Sequence, residues 1–255
     1  MTFLLKSFNF FYLLILYFIS INSFAKGLSP YLPLQVDPLI ELELNRLATL
    51  AKLPILTKPY HAATINNYLT KISYSHPTLY RHISTYLKRY KKEAVLTYAS
   101  AEINYADTKN IPLANGRGRM ADANYQGEIS GFWQVNQYLI INGNGNGLYY
   151  EGGVYITTNT FVSIGIDVLQ LDIGYREHWM PPFQDSAVLF STQAKLPLGV
   201  TISNPSLISD FNIKYEVYLG ILDEHDGIRF DRDKLNVSGE PALLTMHLSA
   251  QPFDW

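Results

Sequence analysis

The feature that most constrains this fold is an alternation of apolar and polar residues that begins at Glu93 and runs towards the end of the chain. At 211–221, for example, apolar side chains occupy every second position from Phe211 onwards. A period of two is that of β-strands with two unlike faces. The pattern predicts about ten strands in a series of antiparallel hairpins. They cover 94–106, 123–136, 137–143, 148–158, 160–167, 168–177, 186–193, 198–203, 211–221 and 242–249.

The predicted strands are separated by segments with the Asn, Asp and Gly content of turns. These segments are the Asn-Gly repeat at 142–147, 223–227 and 236–240. A soluble sandwich and a transmembrane barrel both show this alternation. Charged residues make up 16% of the chain, against roughly 25% in typical soluble proteins, and 19 residues are Tyr. Together with strand lengths near the ~9–11 residues that cross a bilayer, this favours the barrel, with the sandwich as the alternative.

The first 25 residues have the pattern of a signal peptide. Lys6 provides a positive charge, 8–19 form an apolar run, and Ser23-Phe24-Ala25 is a small-x-small cleavage site. An uncleaved membrane anchor is the alternative, but the run is shorter than the ~20 apolar residues of a spanning helix. The chain has no cysteine, which excludes disulfides and thiolate chemistry. Export without disulfides is compatible with a bacterial envelope protein.

Residues 37–92 have a helical period instead. Asp37-Pro38 is a typical helix start, because Asp caps free N–H groups and Pro fits the first helical position. Two further apolar stripes at helical spacing follow, one around 65–72 and one from Pro77 to Tyr90. These patterns predict a small bundle of three helices.

The net charge of the chain changes sign near residue 92, where the hydrophobic period also changes from helical to strand-like. Residues 26–92 contain 10 Lys/Arg and 3 Asp/Glu, whereas 93–255 contain 9 and 19. We therefore divide the chain into a signal peptide (1–25), a helical bundle (26–92) and a barrel portion (93–255).

Three groups of residues have compositions that metal or nucleic-acid sites also show. Two consist of possible metal ligands: His61, His76 and His82, and then Asp223, Glu224 and Asp226. The histidines lack a His-x3-His pair and are expected at the surface or at helix caps, and the acidic residues are typical of a solvated hairpin tip rather than a calcium site. The basic run 88–92 is more typical of a helix end than of a nucleic-acid site, although it could attract an acidic polysaccharide. We expect no metal, cofactor or nucleic-acid partner.

One aromatic turn could bind sugar. Trp179, with Tyr175 and Asp185 nearby, offers a ring face for sugar C–H groups and acceptors for hydroxyl groups. The alternative is an aromatic plug that packs the turn against the barrel wall. For hydrolysis, the barrel segment offers His178, His225 and His247 but no Gly-x-Ser-x-Gly motif.

Two stretches resemble the capsule assembly Wzi family. The first is Asp37-Pro38-Leu39 through Leu56, with the following link at Pro59. The second is 177–186, EHWMPPFQDS, which is similar to the family's Trp-Trp-Gly-Pro-Gly turn and the serine after it. The positions that fit are Trp179, Pro181 and Ser186. The positions that differ are His178 in place of Trp, and Met180 and Pro182 in place of glycines.

The resemblance implies a periplasmic helical bundle joined to an outer-membrane barrel that holds capsular polysaccharide at the cell surface. It covers about half of a typical member, whose barrel has many more strands, so we expect a partial chain. The expected protein is non-enzymatic and monomeric, lies in the bacterial outer membrane, and has polysaccharide and membrane lipid as partners. A porin-like channel and an outer-membrane lipid hydrolase are the alternatives.

Overall fold

The structure, a computed structural model, is mainly β, with three helices and one large antiparallel sheet, as the alternation predicts. It describes residues 27–34, 37–53, 58–103, 125–149, 154–156, 158–179, 194–229 and 236–251. The predicted signal peptide, the predicted strand at 186–193 and the candidate residue Asp185 lie outside these ranges.

The three helices follow the predicted apolar stripes. They are α1 (Pro38–Leu50), α2 (Ala62–Lys71) and α3 (Pro77–Leu87), and a 3-10 turn at Lys88–Lys91 continues α3. The carboxylate of Asp37 accepts a hydrogen bond from the Leu39 N–H at 2.8 Å, which confirms the predicted cap. No helix within the described ranges has the length and apolar content needed to cross a membrane.

The chain then forms eleven strands among the described residues, and the first of them begins shortly after the 3-10 turn. They are β1 (Ala94–Ile103), β2 (Tyr125–Asn136), β3 (Leu139–Tyr149), β4 (Val154–Ile156), β5 (Thr160–Ile166), β6 (Leu169–Tyr175), β7 (Leu198–Ser203), β8 (Lys214–Ile221), β9 (His225–Arg229), β10 (Asn236–Gly239) and β11 (Ala242–Ser249).

The large sheet has the strand order β1-β2-β3-β5-β6-β7-β8-β11, with short β4 also paired to β3. All of its pairs are antiparallel. Strands β9 and β10 form a separate hairpin. Within the described residues β1 and β11 are the two ends of the sheet and do not pair with each other, so the sheet is open.

One turn prediction was wrong and two were right in part. Residues 223–224 and 240 lie between strands as predicted, whereas 225–227 and 236–239 belong to β9 and β10. The Asn-Gly repeat at 142–147 lies inside β3. The repeat can remain extended because it has a period of two itself. Asn142 and Asn144 share one face, and the glycines between them face the other.

The two faces of the sheet have opposite chemistry, and the apolar face is the exposed one. Exposed side chains on this apolar face come from every strand of the main path: Ile103, Tyr125, Ile129, Trp133, Ile141, Ile164, Ile173, Val200, Ile202, Leu219, Leu244 and Met246. The opposite, polar face is buried: Gln126, Ser163, Gln170, Asp172, Thr201, Ser203, Lys214, Glu216 and Thr245 are each less than 10% exposed. This arrangement is the reverse of that in a water-soluble sheet.

The helices and the N-terminal segment 27–34 pack against part of the polar face. The Leu28 N–H donates to the Gln137 carbonyl at 2.7 Å, and the ring of Tyr90 stacks on Phe132 with centroids 5.9 Å apart. Phe132 and Ile140 of the sheet belong to the same hydrophobic cluster as the buried side chains of the three helices.

The two ends of the sheet also differ. The connections nearest the helices are short, at 137–138, 167–168 and 204–213, and Thr64 of α2 donates to the Pro205 carbonyl there. Three of the four connections at the opposite end are long, at 104–124, 176–197 and 222–241, whereas the fourth joins β3 to β5 through β4 at 150–159.

Candidate functional site

A buried ionic cluster lies on the polar face, with Arg176 at its centre. Its guanidinium donates to Asp172 Oδ2 at 3.0 Å and to Glu216 Oε2 at 2.9 Å. The three side chains are at most 3% exposed. Charges removed from water to this degree are tolerated only when they are paired and hydrogen-bonded, and these contacts join β6, β8 and the segment after β6.

Glycines make room for this cluster. Cβ atoms added at Gly199 and Gly220 would lie within 2.5 Å of the Tyr218 side chain, so these positions accept only glycine while Tyr218 lies across them. The Tyr218 ring in turn packs against the His178 ring, with centroids 4.2 Å apart. The two glycines therefore leave room for the Tyr218 ring, against which His178 packs.

His178 extends the cluster towards β7. Its Nδ1 lies 2.7 Å from Glu216 Oε1, and its Nε2 lies 3.4 Å from Thr201 Oγ1. The order hydroxyl, imidazole, carboxylate is also that of a hydrolytic triad. Thr201 is 1% exposed and His178 3%, so a substrate cannot reach the hydroxyl in this conformation.

Tyr31 connects the N-terminal segment to the cluster. Its hydroxyl donates to Asp172 Oδ2 at 2.9 Å and accepts from Gln170 Nε2 at 2.9 Å. The Arg176 guanidinium lies 4.6 Å from the centre of its ring, within the range of a cation–π contact. Segment 27–34 is therefore held to the sheet by polar contacts as well as by packing.

His61 is also buried here, and the expectation of a surface or capping histidine was wrong for it. It is 4% exposed, its Nδ1 donates to the Ser29 carbonyl at 3.1 Å, and its ring lies 4.0 Å from that of Tyr31. Burial, followed by the charge of Lys214, holds the pKa of the imidazole well below its usual value. It is buried because Tyr31 and His61 form a β-bridge that places it between the N-terminal segment and the sheet.

The other two histidines of the helical segment remain at the surface. His82 is exposed and its Nδ1 lies 2.9 Å from Glu43 Oε1. His76 precedes α3, but its side chain does not cap the helix. No group of three His, Asp or Glu residues within the described ranges is arranged to hold a metal ion.

A cavity of about 1100 Å³ lies between the helices and the polar face of β1–β3 and β5. The helical side contributes Asp37, Glu43, Arg81, His82, Tyr86 and Arg89. The sheet side and the segments beyond it contribute Tyr98, Glu102, Glu128, Asn142, Asn144 and Glu177. Carboxylates, amides and aromatic rings together form a surface that can exchange hydrogen bonds with a polar ligand.

The described residues of the predicted sugar site, Tyr175 and Trp179, lie away from the cavity wall. Trp179 is half-buried and exchanges two backbone hydrogen bonds with Lys58, of 3.0 and 3.2 Å, and Lys58 Nζ lies 5.9 Å from the centre of a Trp179 ring. Tyr175 is the last residue of β6 and lies on the apolar face, as Ile173 does. Neither residue lines the cavity, whereas Glu177 from the same stretch of chain does.

Sequence reasoning missed the ionic cluster although the signal was present. Alternation places Asp172 and Arg176 on one face of a predicted strand, and Lys214 and Glu216 on one face of another. Which strands are neighbours in the sheet cannot be read from alternation, so the ion pair across β6 and β8 was not predicted.

Comparison with protein-family models, curated proteins and solved structures found no match for this chain. The resemblance to the capsule assembly Wzi family therefore remains a prediction from the sequence.

Proposed function

We propose that this chain is a non-enzymatic outer-membrane protein whose sheet faces lipid and which binds surface polysaccharide. The observation that carries the membrane assignment is the reversed polarity of the sheet. Large apolar side chains are exposed across all eight strands of the main path, while ionic and amide side chains are buried on the other face. Transmembrane barrels have this arrangement, with an apolar exterior and a polar interior.

The two ends of the sheet support an orientation. Bacterial outer-membrane barrels have short turns on the periplasmic side and longer loops outside. Short connections lie at the end where 204–213 contacts α2, and long connections such as 176–197 lie at the other. The helical segment thus belongs on the periplasmic side, as the resemblance to the Wzi family implies.

The alternatives have less support. A porin-like channel needs an unobstructed polar face, whereas Tyr31 contacts the centre of this face and the helices cover another part of it. A lipid hydrolase needs an accessible nucleophile, and Thr201 is buried. The polysaccharide assignment is supported by the resemblance and by the amide, carboxylate and aromatic lining of the cavity.

Two measurements test the proposal, one on the wild-type strain and one on a deletion strain. Membrane fractionation should recover the protein with the outer membrane, and deletion should release surface polysaccharide into the medium. A protein found in the soluble periplasmic fraction would overturn the membrane assignment. Full retention of polysaccharide after deletion would overturn the binding assignment. Planar-bilayer recordings separate the channel alternative, because the protein with its helical segment in place should not conduct.

A further inference from the structure

We propose that the cavity between the helices and β1–β3 binds a hydroxyl-rich glycan segment that is neutral or carries amino groups, and that it excludes uronate-rich segments. This inference rests on the proposed function and assigns a binding site and a ligand charge to it. It places the site at the cavity instead of at the predicted turn of Tyr175, Trp179 and Asp185.

The hydrogen-bonding groups of the wall favour hydroxyl ligands. Asn144 Nδ2 donates to Glu128 Oε1 at 3.1 Å, but Asn144 Oδ1 has no hydrogen-bond partner within the described part of the chain. The same holds for Asn142 Nδ2, two residues away on the same face of β3. One of these atoms is an acceptor and the other a donor, and a hydroxyl group can serve both. Both atoms are buried in the cavity wall, so a ligand hydroxyl pairs with them only when the two amides turn towards the cavity, and this pairing is favoured because an unpaired buried polar atom is costly.

The charges of the wall select against anions. Five carboxylates line the cavity, from Asp37, Glu43, Glu102, Glu128 and Glu177, against the two guanidinium groups of Arg81 and Arg89. Carboxylate-bearing sugars brought into this space would meet like charges in a partly enclosed environment, where screening is weak. Neutral sugars do not meet this repulsion, and amino sugars are attracted.

Tyr98 offers the aromatic surface that glycan binding needs. It lies on the cavity side of β1, paired in register with Ser130, and is 48% exposed. The other exposed aromatic side chains of the sheet, such as Trp133 and Tyr125, lie on the apolar face. A half-exposed ring at the wall of a polar cavity is suited to stack on the C–H face of a sugar.

The experiment uses the full chain in detergent micelles. Surface polysaccharide from the source cells is cut to oligosaccharides and separated by anion exchange into neutral or amino-bearing and uronate-bearing fractions, and binding is measured by calorimetry. The first fraction should bind, and Tyr98→Leu should weaken binding about tenfold. Tyr74→Leu is the matched control, because Tyr74 is fully exposed in the helical segment, and it should leave binding unchanged. Glu128→Gln should reduce the discrimination against the uronate-bearing fraction.

The inference is overturned if the uronate-bearing fraction binds as tightly as the other, if neither fraction binds, or if Tyr98→Leu binds like the wild type. Polysaccharide retention on cells separates this failure from failure of the proposed function. If deletion releases polysaccharide but the Tyr98→Leu strain retains it fully, the function stands and the cavity is the wrong site. If the deletion strain itself retains its polysaccharide, the proposed function fails.

Discussion

Arg176→Met should be among the most destabilising single substitutions in the described part of this chain. It leaves Asp172 and Glu216 as buried carboxylates without their guanidinium partner. Their side chains are 1% and 2% exposed. Removing one partner of a buried ion pair costs about 3–5 kcal/mol, which is a large share of a typical stability of about 5–15 kcal/mol. Because one cation serves two carboxylates, we expect a loss at the upper end of this range.

The measurement is urea unfolding in detergent micelles, followed by tryptophan fluorescence. Arg46→Met is the matched control, since Arg46 is exposed on α1 and its loss should change the free energy of unfolding by less than about 0.5 kcal/mol. The triple variant Arg176→Met, Asp172→Asn, Glu216→Gln removes all three charges and should recover most of the loss. A single variant that costs less than about 1 kcal/mol, or a triple variant as unstable as the single one, would refute the reasoning.

Three further predictions concern the apolar face, one backbone position and pH. Ile173→Lys should cost about 2–4 kcal/mol in a bilayer, whereas Leu42→Lys on the exposed side of α1 should be neutral; equal effects would contradict a lipid-facing sheet. Gly174→Ala should cost more than about 1 kcal/mol in urea unfolding, because φ is +136° and the added Cβ would lie 2.4 Å from a backbone oxygen, while Gly143→Ala meets no atom within 4 Å and should be tolerated. Burial lowers the pKa of His61, so the unfolded chain binds the proton more tightly. The contribution of His61 to stability should be complete above about pH 6.5 and fall as pH drops towards the folded pKa, and His61→Gln should remove that part of the pH dependence in thermal unfolding.

Alternation predicted the strands well, because burial of one face fixes a period of two whatever lies on the other face. It also placed Ile173 and Asp172 on opposite faces, as observed. Turn chemistry was less reliable. The Asn-Gly repeat at 142–147 has the composition of a hairpin turn, but its glycines fall on one face of β3 and its asparagines on the other, which an extended strand accommodates.

The candidate sites were harder to predict because they depend on residues distant in sequence. The cavity needs Tyr98 of β1 and Asn144 of β3 to face the helices, and neither residue belongs to a recognisable motif. The environment of His61 depends on its bridge to Tyr31, which local patterns do not encode. Sequence alone therefore indicated the faces of the strands but not what covers them.

The hydrogen bond from Tyr31 to Asp172 joins residues 141 positions apart, which has a consequence for the order of folding. During synthesis, Tyr31 is made long before β6, and the partners of its hydroxyl, Gln170 and Asp172, exist only once β6 has been made. Contacts of such high sequence separation close late, since the intervening chain must first be ordered. The Tyr31 hydroxyl is therefore among the last groups to reach its final position, and its docking reports that β6 is in place.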